Sequence, residues 1–206
     1  MNSGIRAASS AARRRAIMDA ALELFVENGM STTTLEQILD HSGASVGSFY
    51  HHFKSRADVG TATYMDILVR YCDGFLAEVR AHTGAKEGIK AGVRYHFRWV
   101  RRNFKAAMYI VHLRESQVVR ESSVQINGLL RKFFDQLDDW LKVEAEEKAV
   151  RSMSFDTYWA LWQGPAEMFT RYWLVGPRDE MQLKRAEATL ADAAWKSLRR
   201  NRLSRP

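Results

Sequence analysis

Between Thr33 and Lys54 the chain gathers side chains that can hydrogen-bond to a polar surface but lack the grouping that catalysis needs. Hydroxyls stand at Thr33, Thr34, Ser45, Ser48 and Tyr50, imidazoles at His51 and His52, and an ammonium at Lys54. No Gly-rich phosphate loop, metal-ligand set or Ser/Cys-His-acid group accompanies them, so neither a catalytic centre nor a cofactor is expected; a helical enzyme is the reading from another class. His51 and His52 make a poor metal pair, because neighbours on a helix diverge by about 100° and no Cys or carboxylate nearby completes a tetrahedral set.

Two short helices are needed to hold such a set on one face. Thr33 with Glu36 and Ser55 with Asp58 match capping boxes, which predicts helix starts near Thr34 and Arg56. Leu35, Ile38 and Leu39 give the first helix an apolar face, and Ser42-Gly43 supplies a turn in which glycine can adopt a left-handed conformation. Two helices joined in this way form a helix-turn-helix. The second, about residues 45–52, turns Phe49 and Phe53 inward. Gly47 and His51 then point outward, flanked by Ala44, Ser48, Tyr50 and Lys54, with Val46 at the margin of the buried side. Eight residues span about 12 Å, the width of a DNA major groove, and Gly47 lets the backbone come close.

Residues 29–59, GMSTTTLEQILDHSGASVGSFYHHFKSRADV, resemble the DNA-binding domain of the TetR family, and the resemblance covers roughly residues 13–60. It implies that Thr33 or Thr34 meets phosphate. It also implies that Ser45, Val46, Gly47, Ser48 and Tyr50 face base edges and backbone, and that Tyr50, His51 and Lys54 grip phosphates. Val46 stands where a basic residue is often found. Arg13, Arg14 and Arg15 read equally as a phosphate-contacting arm or as the polar start of a helix. The resemblance further implies a homodimer on an inverted-repeat operator, released by a small-molecule effector. Repressor and activator are not separable from sequence.

The rest of the chain fits an all-α protein. It has 206 residues, 46% of them hydrophobic, three prolines and no sustained apolar/polar alternation. About nine helices are expected, near 11–28, 34–40, 45–52, 56–82, 86–101, 104–112, 117–149, 155–174 and 179–201. They divide into a DNA-binding domain over 1–55, its residues 1–10 a disordered arm, and an effector-binding and dimerisation domain over 56–206. The net charge of +7 does not locate the DNA-binding end, because residues 1–60 are neutral and the excess lies in 90–105 and 184–205. The single cysteine, Cys72, and the lack of a long uncharged apolar run fit a cytoplasmic protein without membrane association.

All six tryptophans lie beyond residue 83. Tyr71, Phe75, Trp99, Met108, His112, Leu130, Phe133, Trp162 and Phe169 fall on apolar stripes of central helices and are the candidate pocket for a largely apolar or aromatic effector. Arg94, Arg98, Arg101, Arg102 and Lys105 form a basic face, either solvated or drawn to an anionic effector or flanking DNA. In the last helix Leu183, Ala186, Leu190, Ala193, Ala194 and Leu198 make an apolar strip. With the preceding helix, kinked at Pro165, that strip is the expected dimer contact.

Overall fold

Helix-forming alanines and long aliphatic and charged side chains dominate the chain, and helix is the regular structure they adopt. The computed structural model describes residues 2–113, 123–146 and 149–200. Among them ten helices follow in order: α1 (Asn2–Asn28), α2 (Leu35–Ser42), α3 (Val46–His52), α4 (Arg56–Arg80), α5 (Ala85–Arg102), α6 (Phe104–Leu113), α7 (Ser123–Glu146), α8 (Phe155–Trp162), α9 (Gly164–Val175) and α10 (Glu180–Leu198). An isolated antiparallel bridge joins Val150 to Arg199.

The expected all-α class holds, with two differences in the elements. The span expected as one helix over 155–174 is two, because Pro165 occupies the first turn of α9, where its missing N–H costs nothing. The chain therefore breaks there instead of kinking. Residues 2–10, expected as a disordered arm, continue α1, a stretch in which Ala7 and Ala8 favour helix. The helix expected over 117–149 is described from Ser123 to Glu146, while 114–122 and 147–148 lie outside the described residues.

Packing sorts the described residues into two units, the first holding those up to Leu68 and those within 105–126, the second those of Val69–Phe104 and those from Asn127 on. This departs from the expected boundary at residue 55. The first half of α4 packs in the first unit, and α6 belongs there too: Tyr109 stacks on Phe25 at 5.9 Å and donates to the Gly60 carbonyl at 3.0 Å. Ile17, Ala21, Phe25, Ile38, Phe49, Phe53 and Val59 form that unit's core.

In the second unit α10 packs along α5 and α8. Leu183, Ala194 and Leu198 are buried by that packing, and Ala186 and Leu190 are half-buried. The strip expected at a dimer contact is thus largely the unit's own core, since an amphipathic helix must first cover its apolar face within the fold. Among the large apolar residues left exposed are Met168, Tyr172 and Val175 on one stripe of α9, and Met181 at the start of α10. No helix among the described residues is long and apolar enough to cross a membrane.

Candidate functional site

Seven residues make up α3, and both its ends are fixed locally. Ser45 caps it, its hydroxyl accepting from the Ser48 amide at 3.2 Å. The preceding turn is a Schellman arrangement: Gly43 takes φ 64° and ψ 22°, its N–H reaches the Asp40 carbonyl, and Ala44 N–H reaches Leu39 at 3.2 Å. A β-branched residue at Gly43 would meet the left-handed penalty of roughly 1–2 kcal/mol. Downstream, Ser55 Oγ accepts from the Asp58 amide at 3.1 Å while the Asp58 carboxylate accepts from Lys54 N–H at 2.8 Å. That cap starts α4 at Arg56 as expected.

Phe49 is fully buried, set edge-on to Tyr50 at 5.4 Å and 5.8 Å from Phe53. The opposite face of α3 exposes Val46, Gly47, Tyr50 and His51, with Ser45 before it and Lys54 after it also exposed and Ser48 half-buried. A side chain at Gly47 would enter open space. Val46, expected at the margin of the buried side, is 57% exposed, because the inward direction of so short a helix is set by Phe49 and Phe53 alone.

At the start of α2 the cap falls one residue later than expected. Thr34 is the N-cap: its hydroxyl accepts from Gln37 N–H at 3.2 Å, and Gln37 Oε1 accepts from Thr34 N–H at 2.8 Å. Thr33 is completely buried, its hydroxyl donating to the Leu24 and Gly29 carbonyls at 3.1 and 2.9 Å. It is therefore a structural residue and cannot be a phosphate contact, which leaves Thr34, exposed, as the one available there.

The three arginines of α1 are used inside the unit. Arg13 donates to the Gly43 carbonyl at 3.2 Å, Arg14 lies over the Phe53 ring at 5.2 Å, and Arg15 pairs with Asp19 and Asp66. They brace the turn and α3 against α1. Arg56 likewise donates to the Thr33 carbonyl. Glu23 joins His41 at 2.8 Å and Lys105 at 2.7 Å, and these two partners hold its carboxyl below the usual range. Partial burial, with His51 and Arg14 close by, holds the His52 imidazole below its ordinary value.

The second unit has an aromatic core. Tyr71 meets Trp99 at 5.0 Å and Phe75 at 6.1 Å, and Phe75 meets Phe133 at 5.7 Å, Trp159 at 5.9 Å and Trp162 at 5.6 Å. Phe169 packs on Phe97 at 5.8 Å. The structure thus gathers Tyr71, Phe75, Trp99, Phe133 and Trp162, with Phe169 beside them and Leu130 half-buried. Met108 and His112 sit on α6 in the first unit. His112 is exposed, since α6 turns Ala106, Ala107 and Tyr109 inward, and it is withdrawn as a pocket residue.

A profile of the family described as bacterial regulatory proteins, tetR family, matches residues 17–62. Residues 17–62 are thus a DNA-binding domain of the TetR type. The match spans the end of α1, the helix-turn-helix and the start of α4, the segment whose caps and burial are described above. Among curated TetR relatives, the fatty acid metabolism regulator protein of Bacillus subtilis is 24% identical over 123 residues, 59% of this chain and 62% of the relative. The transcriptional activator FasR of Mycolicibacterium smegmatis is 25% identical over 130 residues, 60% of this chain and 58% of the relative. The matched stretches thus span about three fifths of those relatives. The TetR fold extends further: the crystal structure of the B. subtilis regulator FadR in complex with stearoyl-CoA superposes with a TM-score of 0.76 at 19% identity, covering 87% of this chain and 96% of that one. These proteins are transcription regulators, not enzymes.

Beyond the TetR domain, sequence reasoning missed the polar members of the second unit's core. His96 is buried, its Nδ1 2.8 Å from the Tyr71 hydroxyl and its Nε2 2.8 Å from Thr170 Oγ1. Gln163 is completely buried. Gly88, Gly92 and His96 recur every four residues along α5, a spacing that marks a close-approach face and was the available signal. The basic face of α5 is partly neutralised, with Arg98 on Glu78 at 2.6 Å and Arg94 near Glu87 at 3.9 Å, while Lys105 pairs with Glu23.

Proposed function

We propose that the protein is a cytoplasmic, homodimeric transcriptional repressor that binds an inverted-repeat operator and leaves it when the second unit takes up a small, largely apolar or aromatic effector. The observation that carries this reading is the outward face of α3, where Val46, Gly47, Tyr50 and His51 are exposed together behind a fully buried Phe49. Such a helix fits a major groove. Thr34, Tyr50, His51 and Lys54 serve phosphates; Ser45, Gly47 and Ser48 bring hydroxyls and backbone to base edges; Val46 offers an apolar contact to a thymine methyl.

Short outward side chains allow few bidentate base contacts, so affinity rests on phosphates and falls with salt. Lys54→Ala is expected to weaken binding to every sequence alike and to reduce the slope of log K against log salt by about 0.9 for each phosphate it neutralises. Fluorescence anisotropy across a potassium chloride series measures this, and an unchanged slope contradicts the assignment.

The proposed dimer uses the last two helices, through Met168, Tyr172, Val175 and Met181. Tyr172→Asp places a charge in that contact and is expected to shift the protein from dimer to monomer in light scattering at micromolar concentration. It should also lower operator affinity by at least tenfold, because two recognition helices no longer act together. A dimer that persists moves the contact elsewhere.

The effector acts through unequal affinity for two dimer conformations. The aromatic core supports an apolar ligand, and the acyl-CoA bound to FadR makes acyl thioesters one class to test. A mobility shift with the inverted repeat upstream of the chain's own gene tests the operator. The relative named as an activator favours a second reading, activation, and deletion of the gene separates the two. Neighbouring transcripts rise for a repressor and fall for an activator.

A further inference from the structure

His96 and Gln163 are both buried in the second unit, and they differ in one respect. The His96 relay is closed. Thr170 donates to the Ala166 carbonyl at 2.9 Å and so accepts from His96 Nε2–H, which leaves Nδ1 to accept from Tyr71. Trp162 is also satisfied, donating to the Ile89 carbonyl at 2.8 Å.

Gln163 is open. It stands between α8 and α9, at the N-cap position of α9, yet its side chain caps nothing. The residue is 0% exposed, and neither Oε1 nor Nε2 has a partner among the described residues. The carboxamide faces α5 at Gly92, where a Cβ would come 3.3 Å from Nε2, 2.8 Å from Phe75 Cζ and 2.9 Å from Trp162 Cζ2. Glycine at 92 thus keeps the amide and its two flanking rings at close quarters. Trp159, half-exposed, borders the same cluster through Phe75 and Phe133.

We infer that Gln163 is the polar anchor of the effector site and selects a neutral, flat ligand that presents an N–H beside a carbonyl, as in a lactam, imide or cis-amide. The assignment rests on reading the second unit as the effector-binding one. A carboxamide offers both a donor and an acceptor, and a flat group carrying the complementary acceptor and donor side by side satisfies the two together. Phe75 and Trp162, which flank it at Gly92, carry no charge and could not pair with a charged ligand group. Aromatic walls suit a flat ring. A buried amide left unmatched destabilises the free protein, so its retention calls for a reason other than folding.

The test uses the full-length protein and three probes: 2-quinolone, its N-methyl derivative, which keeps the carbonyl but lacks the N–H, and quinoline, which lacks the carbonyl. Isothermal titration is expected to show 2-quinolone binding at least tenfold tighter than either analogue. In Gln163→Met, which keeps the length and loses the amide, that preference should fall below twofold while the thermal midpoint without ligand holds or rises. Equal affinity for the three probes, no binding of 2-quinolone, or a preference that survives Gln163→Met overturns the assignment. So does a crystal grown with 2-quinolone in which only water meets the carboxamide. Operator binding by the unliganded protein is measured in parallel, so failure of the regulator reading shows separately from failure of the Gln163 assignment.

Discussion

Phe49→Ala is expected to destabilise the first unit by about 3–5 kcal/mol and to abolish specific operator binding. The ring is fully buried and touches both Tyr50 and Phe53, the latter lying under the Arg14 guanidinium. Its removal leaves a cavity on the inward side of α3. A helix of seven residues has no stability of its own, since isolated helices below about 12–15 residues are marginal in water, so α3 exists only while its anchor packs. Against a total stability of about 5–15 kcal/mol for an ordinary domain, the loss is large. Substitutions on the exposed face are different in kind, because they remove one contact to DNA and leave the helix in place. Urea denaturation together with anisotropy on the operator distinguishes the two. A Phe49→Ala protein that unfolds within about 1 kcal/mol of the parent and still binds would mean that α3 is held by something other than this ring.

The helix-turn-helix was legible because its signals are local. Gly43, the Ser55–Asp58 cap and the Phe49/Phe53 spacing each act within five residues, and each appears in the structure where sequence places it. The misreadings nearby are also local. Thr33 and Thr34 are adjacent, with Glu36 and Gln37 as equally spaced partners, and the contact that decides between them is made by Leu24 and Gly29 to Thr33. No pattern within the turn carries that information. Val46 was misjudged for a related reason: angular position on an ideal helix does not say how wide the buried face is.

In the second unit, periodicity located most of the rings, because apolar stripes are helical and period-matched. It did not locate the polar core. His96 and Thr170 are 74 residues apart in sequence, and their hydrogen bond follows from how α5 and α9 pack. The same holds for Gln163 against Gly92. Met108 and His112 show the reverse error: they continue a plausible stripe, but α6 packs in the first unit through Tyr109. Stripes identify what is buried, whereas the partners of a buried residue are a tertiary property.

His96 sets the second large expectation, a loss of about 3 kcal/mol of stability between pH 6.5 and pH 4. Burial in the aromatic core disfavours the imidazolium and pushes the imidazole down to about 4 from an ordinary 6.5. The native state therefore binds fewer protons than the unfolded chain throughout that window. Because the folded value is the lower one, the neutral ring's contribution is complete above about 6.5. It falls as the unfolded chain gains a proton that the folded one refuses, by up to about 1.4 kcal/mol per pH unit. The groups facing the ring fit this direction: Tyr71 from α4 donates to Nδ1, and Thr170 Oγ1 from α9 accepts from Nε2–H. Neither carries a negative charge that could stabilise a protonated ring. Carboxylates elsewhere also titrate near pH 4, so the measurement is a difference. Urea unfolding of the parent and of His96→Gln is compared at half-unit steps from pH 7.5 to 4. Gln keeps a donor and an acceptor but cannot ionise, so the parent's advantage should be greatest at pH 7 and should fade as the pH approaches 4. A gap that stays constant with pH would mean that His96 contributes packing alone. One that widens on acidification would mean that the ring is charged in the fold, contrary to its burial and to the donor at Nδ1.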